Sequence, residues 1–197
     1  MFISIIVGSS RLDSQSAKVG QYITNLVSAK HALYSVKDLF PKLWDNEAFD
    51  NLKESALTKN TTVCEELNKT DGFVFVVPEW NGMVPPAMKN LFVICAQEFA
   101  HKPALLVTVS AGMGGAYPIA ELRMSSYKNS RICYIPDHVI VRHAEQVLNA
   151  PQAANTDDQR IRDRLAYSVK VLEEYSKAFQ SIRNSGVVDL ATYPTGM

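Results

Sequence analysis

The chain has 197 residues, 47% of them hydrophobic and 20% charged, and its 20 basic and 20 acidic side chains cancel. This is the composition of one globular domain large enough for a sizeable core, and the balanced charge, without runs of like sign, excludes a nucleic-acid or membrane-surface partner held by electrostatics. The three cysteines, Cys64, Cys95 and Cys133, form no CxxC pair and read as reduced thiols in a reducing compartment.

The N-terminal MFISIIVGSS lacks a basic leader and a cleavage site, and its apolar run is too short for a signal peptide or a span. A cytoplasmic protein is expected. Phe2 to Val7 reads as a strand buried on both faces, ended by Gly8. Ser14 or Ser16 caps the next helix, in which Val19, Tyr22, Ile23 and Leu26 share a face. A second strand is expected from Ala32 to Leu39, closed by Pro41. A polar helix follows from about Asn51 to Lys69, with Leu52, Leu57, Val63 and Leu67 as its apolar contacts.

Gly72 to Val77 (GFVFVV) is the clearest central strand, and Pro78 to Pro85 is a loop. Pro86 opens a helix expected to reach Phe99. Ala104 to Val109 makes a fourth strand before the Gly-rich Ser110 to Gly115. A helix from Pro118 to Tyr127 and a fifth strand from Arg131 to Ile135 come next. After an irregular stretch from Pro136 to Thr156, a long helix runs from Asp157 to Arg183 with Ile161, Leu165, Val169 and Leu172 on one face. The domain is placed at residues 1–184 and a loose C-terminal tail at 185–197. Strands alternating with helices predict an α/β, doubly wound parallel sheet.

In such sheets ligands bind beyond the carboxyl ends of the strands, so the loops after strands one, three and four matter most. The first, Gly8 to Ser16, is rich in hydroxyls and leads into a helix N-terminus. Ser9, Ser14, Gln15 and Ser16 offer polar side chains, and Arg11 offers a charged fork to a phosphate. It is neither a Walker loop nor GxGxxG, which disfavours a nucleoside triphosphate and a standard dinucleotide. Alone, it is equally a capped strand-to-helix turn.

The second loop, Pro78-Glu79-Trp80-Asn81-Gly82, lies over the middle of the sheet. Asn81 and Gly82 tolerate positive φ, and Trp80 offers an aromatic surface to a flat ligand or, alternatively, packs on the core. Glu79 reads as a general acid or as one half of an ion pair across a subunit boundary. The third loop, Ser110-Ala111-Gly112-Met113-Gly114-Gly115, places three glycines where a backbone must approach something closely. A phosphate site, a ring platform and a close backbone approach on one edge suit a mononucleotide lying across it. His31, His101, His138 and His143 have no metal-ligand spacing, and no G-x-S-x-G elbow is present, so neither a metal site nor a hydrolase nucleophile is assigned. Cys95 and Cys133 read as core thiols.

At these residues the sequence resembles the NAD(P)H-dependent FMN reductases, the flavodoxin-like quinone, azo and chromate reductases. Gly8 to Ser16 matches their GSxRxxS pattern, with Ser16 where many members have asparagine. Pro78 to Asn81 with Met88-Lys89-Asn90 matches the P-E-Y-N block and its proline-led helix, Trp80 and Met88 standing for tyrosine and leucine. Ser110 to Gly115 with Leu122-Arg123 matches the Gly-rich block followed by L-R.

The resemblance covers residues 1 to 145. It implies FMN, its phosphate held by Ser9, Arg11, Ser14, Gln15 and Ser16 and its ring met by Pro78 to Gly82 and by Ser110 to Gly115. It also implies hydride supply from NADPH or NADH, a small-molecule electron acceptor, and a homodimer or homotetramer with Arg123 and the Pro86–Phe99 helix near the boundary. The flavin carries the redox chemistry, so no catalytic side chain is named. The alternatives are a flavodoxin-like electron carrier without nicotinamide turnover and a nucleotide-binding regulatory module.

Overall fold

The computed structural model describes residues 1–11, 13–39, 57–194 and 196, with backbone alone for 57–62. Its centre is a five-stranded sheet in the order β2-β1-β3-β4-β5, every pairing parallel. The strands are β1 (Phe2–Val7), β2 (Lys30–Ser35), β3 (Gly72–Pro78), β4 (Pro103–Val109) and β5 (Cys133–Val141). The helices are α1 (Gln15–Thr24), α2 (Val36–Leu39), α3 (Leu57–Asn68), α4 (Pro86–Ile94), α5 (Ala116–Met124) and α6 (Thr156–Arg183).

Strand alternation splits the core in two. Ile3, Ile5, Val74, Val76, Leu105 and Val107 face α1 and α6, meeting Val19, Ile23, Leu165, Val169 and Leu172. Ile6, Phe73, Phe75, Val77 and Leu106 face the other side, against Val36, Leu67, Met88, Leu91, Ile119 and Leu122. β3 and β4 are buried along their whole length, as parallel strands covered on both faces must be. The order reverses at β1, whose neighbours are β2 and β3. All C-terminal strand ends therefore point one way, and the loops after β1, β3 and β4 share an edge at the switch point.

Several local expectations are corrected. The second strand stops at Ser35 instead of Leu39, because the Ser35 hydroxyl accepts from the Lys37 N–H at 3.3 Å and turns the chain into α2. The helix opened by Pro86 ends at Ile94, not Phe99. A short 3₁₀ turn, Gln97–Phe99, then drives Phe99 into an aromatic cluster, its ring centroid 4.9 Å from Phe73 and 5.4 Å from Phe92. The fifth strand runs through Pro136 to Val141. As an edge strand it tolerates proline, and its register against β4 shifts between Ala104 and Leu106 to accommodate it. The helix expected from Pro118 begins at Ala116, Pro118 falling in its first turn. Pro41, Asn51 and Leu52 lie outside the described residues, as does the Leu57 side chain.

The described residues up to Pro194 are tied to the domain. Arg131 donates to the carbonyls of Tyr193 and Pro194, and the Asp189 carboxylate accepts from the Ala191 and Thr192 N–H groups at 3.1 and 2.9 Å. The described part of residues 185–197 carries no helix or strand, yet it folds back on the domain instead of trailing free.

Candidate functional site

The first loop leaves β1 at Gly8, whose N–H donates to Val76 O at 2.8 Å. A Cβ on Gly8 would meet Met88 Sδ at 3.3 Å and Val76 O at 3.4 Å, so the chain passes close to β3 and α4. Ser14 is the N-cap of α1, its hydroxyl oxygen accepting from the Ser16 and Ala17 N–H groups at 3.1 and 3.4 Å. Ser9 and Ser16 are buried and Arg11 is exposed. The Ser9 hydroxyl accepts from the Arg11 N–H at 3.3 Å. Gln15 carries a buried side-chain oxygen, Oε1, with no hydrogen-bond partner. A buried amide oxygen left unpaired costs about 1–3 kcal/mol, a penalty that a donor on a bound molecule removes.

The second loop folds into a tight turn: Trp80 and Met83 exchange both backbone hydrogen bonds, at 3.1 and 2.9 Å. Asn81 (φ 50°) and Gly82 (φ 74°) both take the left-handed conformation this turn demands. Trp80 is half-buried and stands outside both core clusters, which corrects the reading of it as a core residue. Glu79 faces inward and accepts from the Gly115 N–H at 2.6 Å. Glu79 thus has a partner within the chain, on the third loop. A Cβ on Gly114 would come within 2.7 Å of Glu79 Oε1, so the glycine is what lets the carboxylate seat there.

The third loop is held from three directions. Ser110 N–H donates to Val141 O at 2.9 Å and Ser110 O accepts from the Ala144 N–H at 3.1 Å. Its hydroxyl accepts from the Gly112 N–H at 3.3 Å. Gly115, at φ 101°, sits at the N-cap of α5, where a Cβ would lie 2.4 Å from Ile140. Gly112 is different, because a Cβ there would meet nothing within 4 Å. Ala111 and Gly112 are exposed.

Sequence reasoning missed the braces. Glu121 on α5 accepts from the Val84 N–H at 2.7 Å and pairs with Lys89 at 2.5 Å. Burial alone would raise the Glu121 pKa, but hydrogen bonds from Lys89 and Val84 and the Lys89 charge carry it below the usual carboxylate range. Arg142 donates to Gly114 O at 3.2 Å, and Lys18 on α1 donates to Ala144 O and Val147 O at 2.6 and 2.8 Å. These partners are 28 to 129 residues apart, so no local pattern announces them. Arg123, expected near a subunit boundary, donates within the chain to Ile135 O and Pro136 O at 2.7 and 3.0 Å and holds the bulge of β5. Beside the third loop a cleft of about 480 Å³ opens at Met113, and Arg142, Arg160 and Arg164 line it.

The family model for NADPH-dependent FMN reductases matches residues 1–146. The chain belongs to that family. Two proteins of Pseudomonas putida, each described as a quinone reductase, are 26% identical over 122 residues and 27% identical over 120. The match takes in 58% of this chain and spans 63% of the length of those relatives.

Among solved structures, the flavoenzyme NAD(P)H:(acceptor) oxidoreductase FerB from Paracoccus denitrificans superposes with a TM-score of 0.71 at 18% identity, covering 90% of this chain and 98% of that one. An oxidoreductase from Corynebacterium diphtheriae gives 0.68 at 12% identity, over 90% and 97%. A flavodoxin from the domain Archaea gives 0.57 at 9% identity, over 89% and 99%. These likenesses show the fold of this FMN reductase family member, which is flavodoxin-like.

Proposed function

We propose that the chain is an FMN-dependent oxidoreductase that takes electrons from NADPH or NADH and passes them to a small-molecule acceptor such as a quinone, a flavin, an azo compound or a metal oxyanion. The observation that carries this reading is the convergence of three differently built loops on one sheet edge, two of them locked together by Glu79 and Gly115. Ser9, Arg11, Ser14, Gln15 and Ser16 would hold the phosphate through their hydroxyl, guanidinium and amide N–H donors, while the unpaired Gln15 Oε1, an acceptor, would take a hydrogen bond from a hydroxyl elsewhere on the bound molecule. Pro78 to Gly82 and Ser110 to Gly115 would hold the ring edge, the Asn81-Gly82 turn and Gly112 offering backbone instead of bulky side chains.

When bound, the flavin supplies hydride acceptance and electron delivery, while the protein positions it and excludes competing groups. In the neighbouring cleft Arg142 offers a cation to the phosphates of the nicotinamide nucleotide, while Arg160 and Arg164 there already pair with Asp157 and Asp137.

The same reading includes a cytoplasmic homodimer or homotetramer. Its support is a set of large apolar side chains left exposed around this edge and α5: Met83, Met113, Tyr117, Met124 and Tyr127. Among the described residues no helix is long and apolar enough to cross a membrane.

Purified protein should be yellow, bleach when NADPH or NADH is added without oxygen, and regain colour on adding a quinone with catalytic turnover. A yellow protein that neither nucleotide bleaches would leave only an electron carrier. Light scattering on the eluted protein reads the oligomer directly, and a monomer mass at micromolar concentration would refute that part.

A further inference from the structure

Cys64 lies on α3 and Cys95 caps the C-terminus of α4, 31 residues later in the chain. Their Sγ atoms are 2.8 Å apart. A disulfide needs about 2.05 Å between sulfurs, so closing this one brings them together by roughly 0.8 Å. The widely spaced cysteines of the sequence thus include one adjacent pair, and Cys133 stands apart on β5 with its sulfur 3.6 Å from Arg131 O.

The two sulfurs differ in access. Cys95 is fully buried, whereas Cys64 is half-buried and lines a cavity of about 270 Å³ with Glu65, Asn68, Gln97 and Glu98. The hydrogen bond with Cys64, then burial, then the charges of Cys64 and Glu98 all hold the proton on Cys95. A small oxidant entering from solvent therefore meets Cys64 first.

We propose that Cys64 and Cys95 form a peroxide-responsive pair that closes to a disulfide joining α3 to the end of α4. The Cys64 sulfur, as thiolate, attacks one oxygen of hydrogen peroxide; the O–O bond breaks, hydroxide leaves, and Cys64 becomes a sulfenic acid. The Cys95 sulfur then attacks the Cys64 sulfur, the S–O bond breaks, and the Cys95 proton leaves with the departing hydroxide as water. Overall, two thiols and one peroxide give one disulfide and two waters, with the sulfurs oxidised and the peroxide oxygens reduced. A thiol reductant restores the pair. None of these steps involves a flavin, so the pair works whether or not the chain is a reductase.

The purified protein, as isolated, is exposed to a modest excess of hydrogen peroxide, alkylated, digested without reductant and read by mass spectrometry. The expected result is a peptide carrying Cys64 linked to Cys95, an intact mass lower by two hydrogens, and reversal by dithiothreitol, with Cys133 alkylated throughout. C133S should close the same bond. C95S should instead trap Cys64 as a dimedone-reactive sulfenic acid, which a pair lying together by packing alone would not give. Three thiols that still alkylate after peroxide would overturn the proposal, as would a bond that includes Cys133.

The ligand atoms of Cys64, Cys95 and Glu98 lie within 4.8 Å of one another, so the protein is also dialysed against zinc before oxidation. One retained equivalent that shields both thiols from peroxide would make the cluster a metal site and refute the redox pair.

Discussion

The two ends of the candidate site are built on different principles. At the first loop the side-chain contacts of Ser9 and Ser14 are short in sequence, Ser14 capping its own helix and the Ser9 hydroxyl accepting from an N–H two residues on, although Gly8 also donates to Val76 O on β3. At the ring end the contacts are long: Glu79 reaches Gly115 across 36 residues, and Glu121 holds Val84 from 37 residues away. Beyond Gly8 the first loop is shaped largely by its own hydroxyls and keeps polar groups for a ligand. The ring end is a framework whose polar groups are mostly occupied with one another. Mutations of the groups that brace the ring end should therefore unsettle the fold and the ligand together, whereas mutations at positions with no bracing side chain, Arg11 at the first loop and Gly112 at the ring end, should touch the ligand alone.

The strongest test is Glu79→Ala. It leaves the Gly115 N–H without its acceptor and separates two loops, and an expected loss of about 1–3 kcal/mol should appear in denaturant unfolding together with poor flavin retention. Glu79→Gln keeps an oxygen in place and should recover much of both. A Glu79→Ala protein of unchanged stability would remove the distinction between the two ends.

Arg11→Ala comes next. Arg11 is exposed, so the apoprotein should unfold at the wild-type temperature. FMN affinity should fall about tenfold, near 1.4 kcal/mol, as measured by fluorescence titration. Unchanged affinity would move the phosphate away from this loop.

How far the sequence foretold the structure follows the same divide. Phe2–Val7 and Gly72–Pro78 were legible because a strand buried on both faces is an unbroken apolar run. Ser14 was legible as a cap because capping is a matter of three residues. The Glu79–Gly115 contact was not legible because it is set by the parallel pairing of β3 with β4, which no window of residues contains. Likewise, Pro136 signalled the end of a strand, and only the edge position of β5 explains why the strand continues through it. The Cys64–Cys95 approach was invisible for the same reason: it exists because α3 and α4 cover one face of the sheet.

Acid should act on a third support of this edge. Asp158 is buried; burial would raise its pKa, but hydrogen bonds from Arg162, Ala154 N–H and Leu148 N–H, with the Arg162 charge, hold it below the usual carboxylate range. A depressed folded value means that its contribution is present above the unfolded pKa, about 3.9, and is lost as pH falls through the lower folded value. The segment after β5, which anchors Ser110 through Ala144, should loosen there while the first loop keeps its cap. Hydrogen exchange along an acid titration would show this as early exposure of Leu148 and Ala154 relative to Ala17. Simultaneous exposure of all three would mean that the edge opens as one unit.

The smallest expected change in stability falls at the ring end itself, at Gly112, which carries no bracing side chain. A Cβ at Gly112 meets nothing within 4 Å, and its φ is not in the left-handed region, so Gly112→Ala should alter unfolding free energy by no more than about 0.5 kcal/mol. Gly114 and Gly115 are glycine because Glu79 and Ile140 crowd them, but Gly112 has no such reason inside the protein. If the space beside it receives the edge of a flat ligand, the added methyl should weaken flavin binding in a protein whose melting is unchanged. Equal flavin affinity in Gly112→Ala would place the ring elsewhere on this edge and leave Gly112 as an ordinary turn residue.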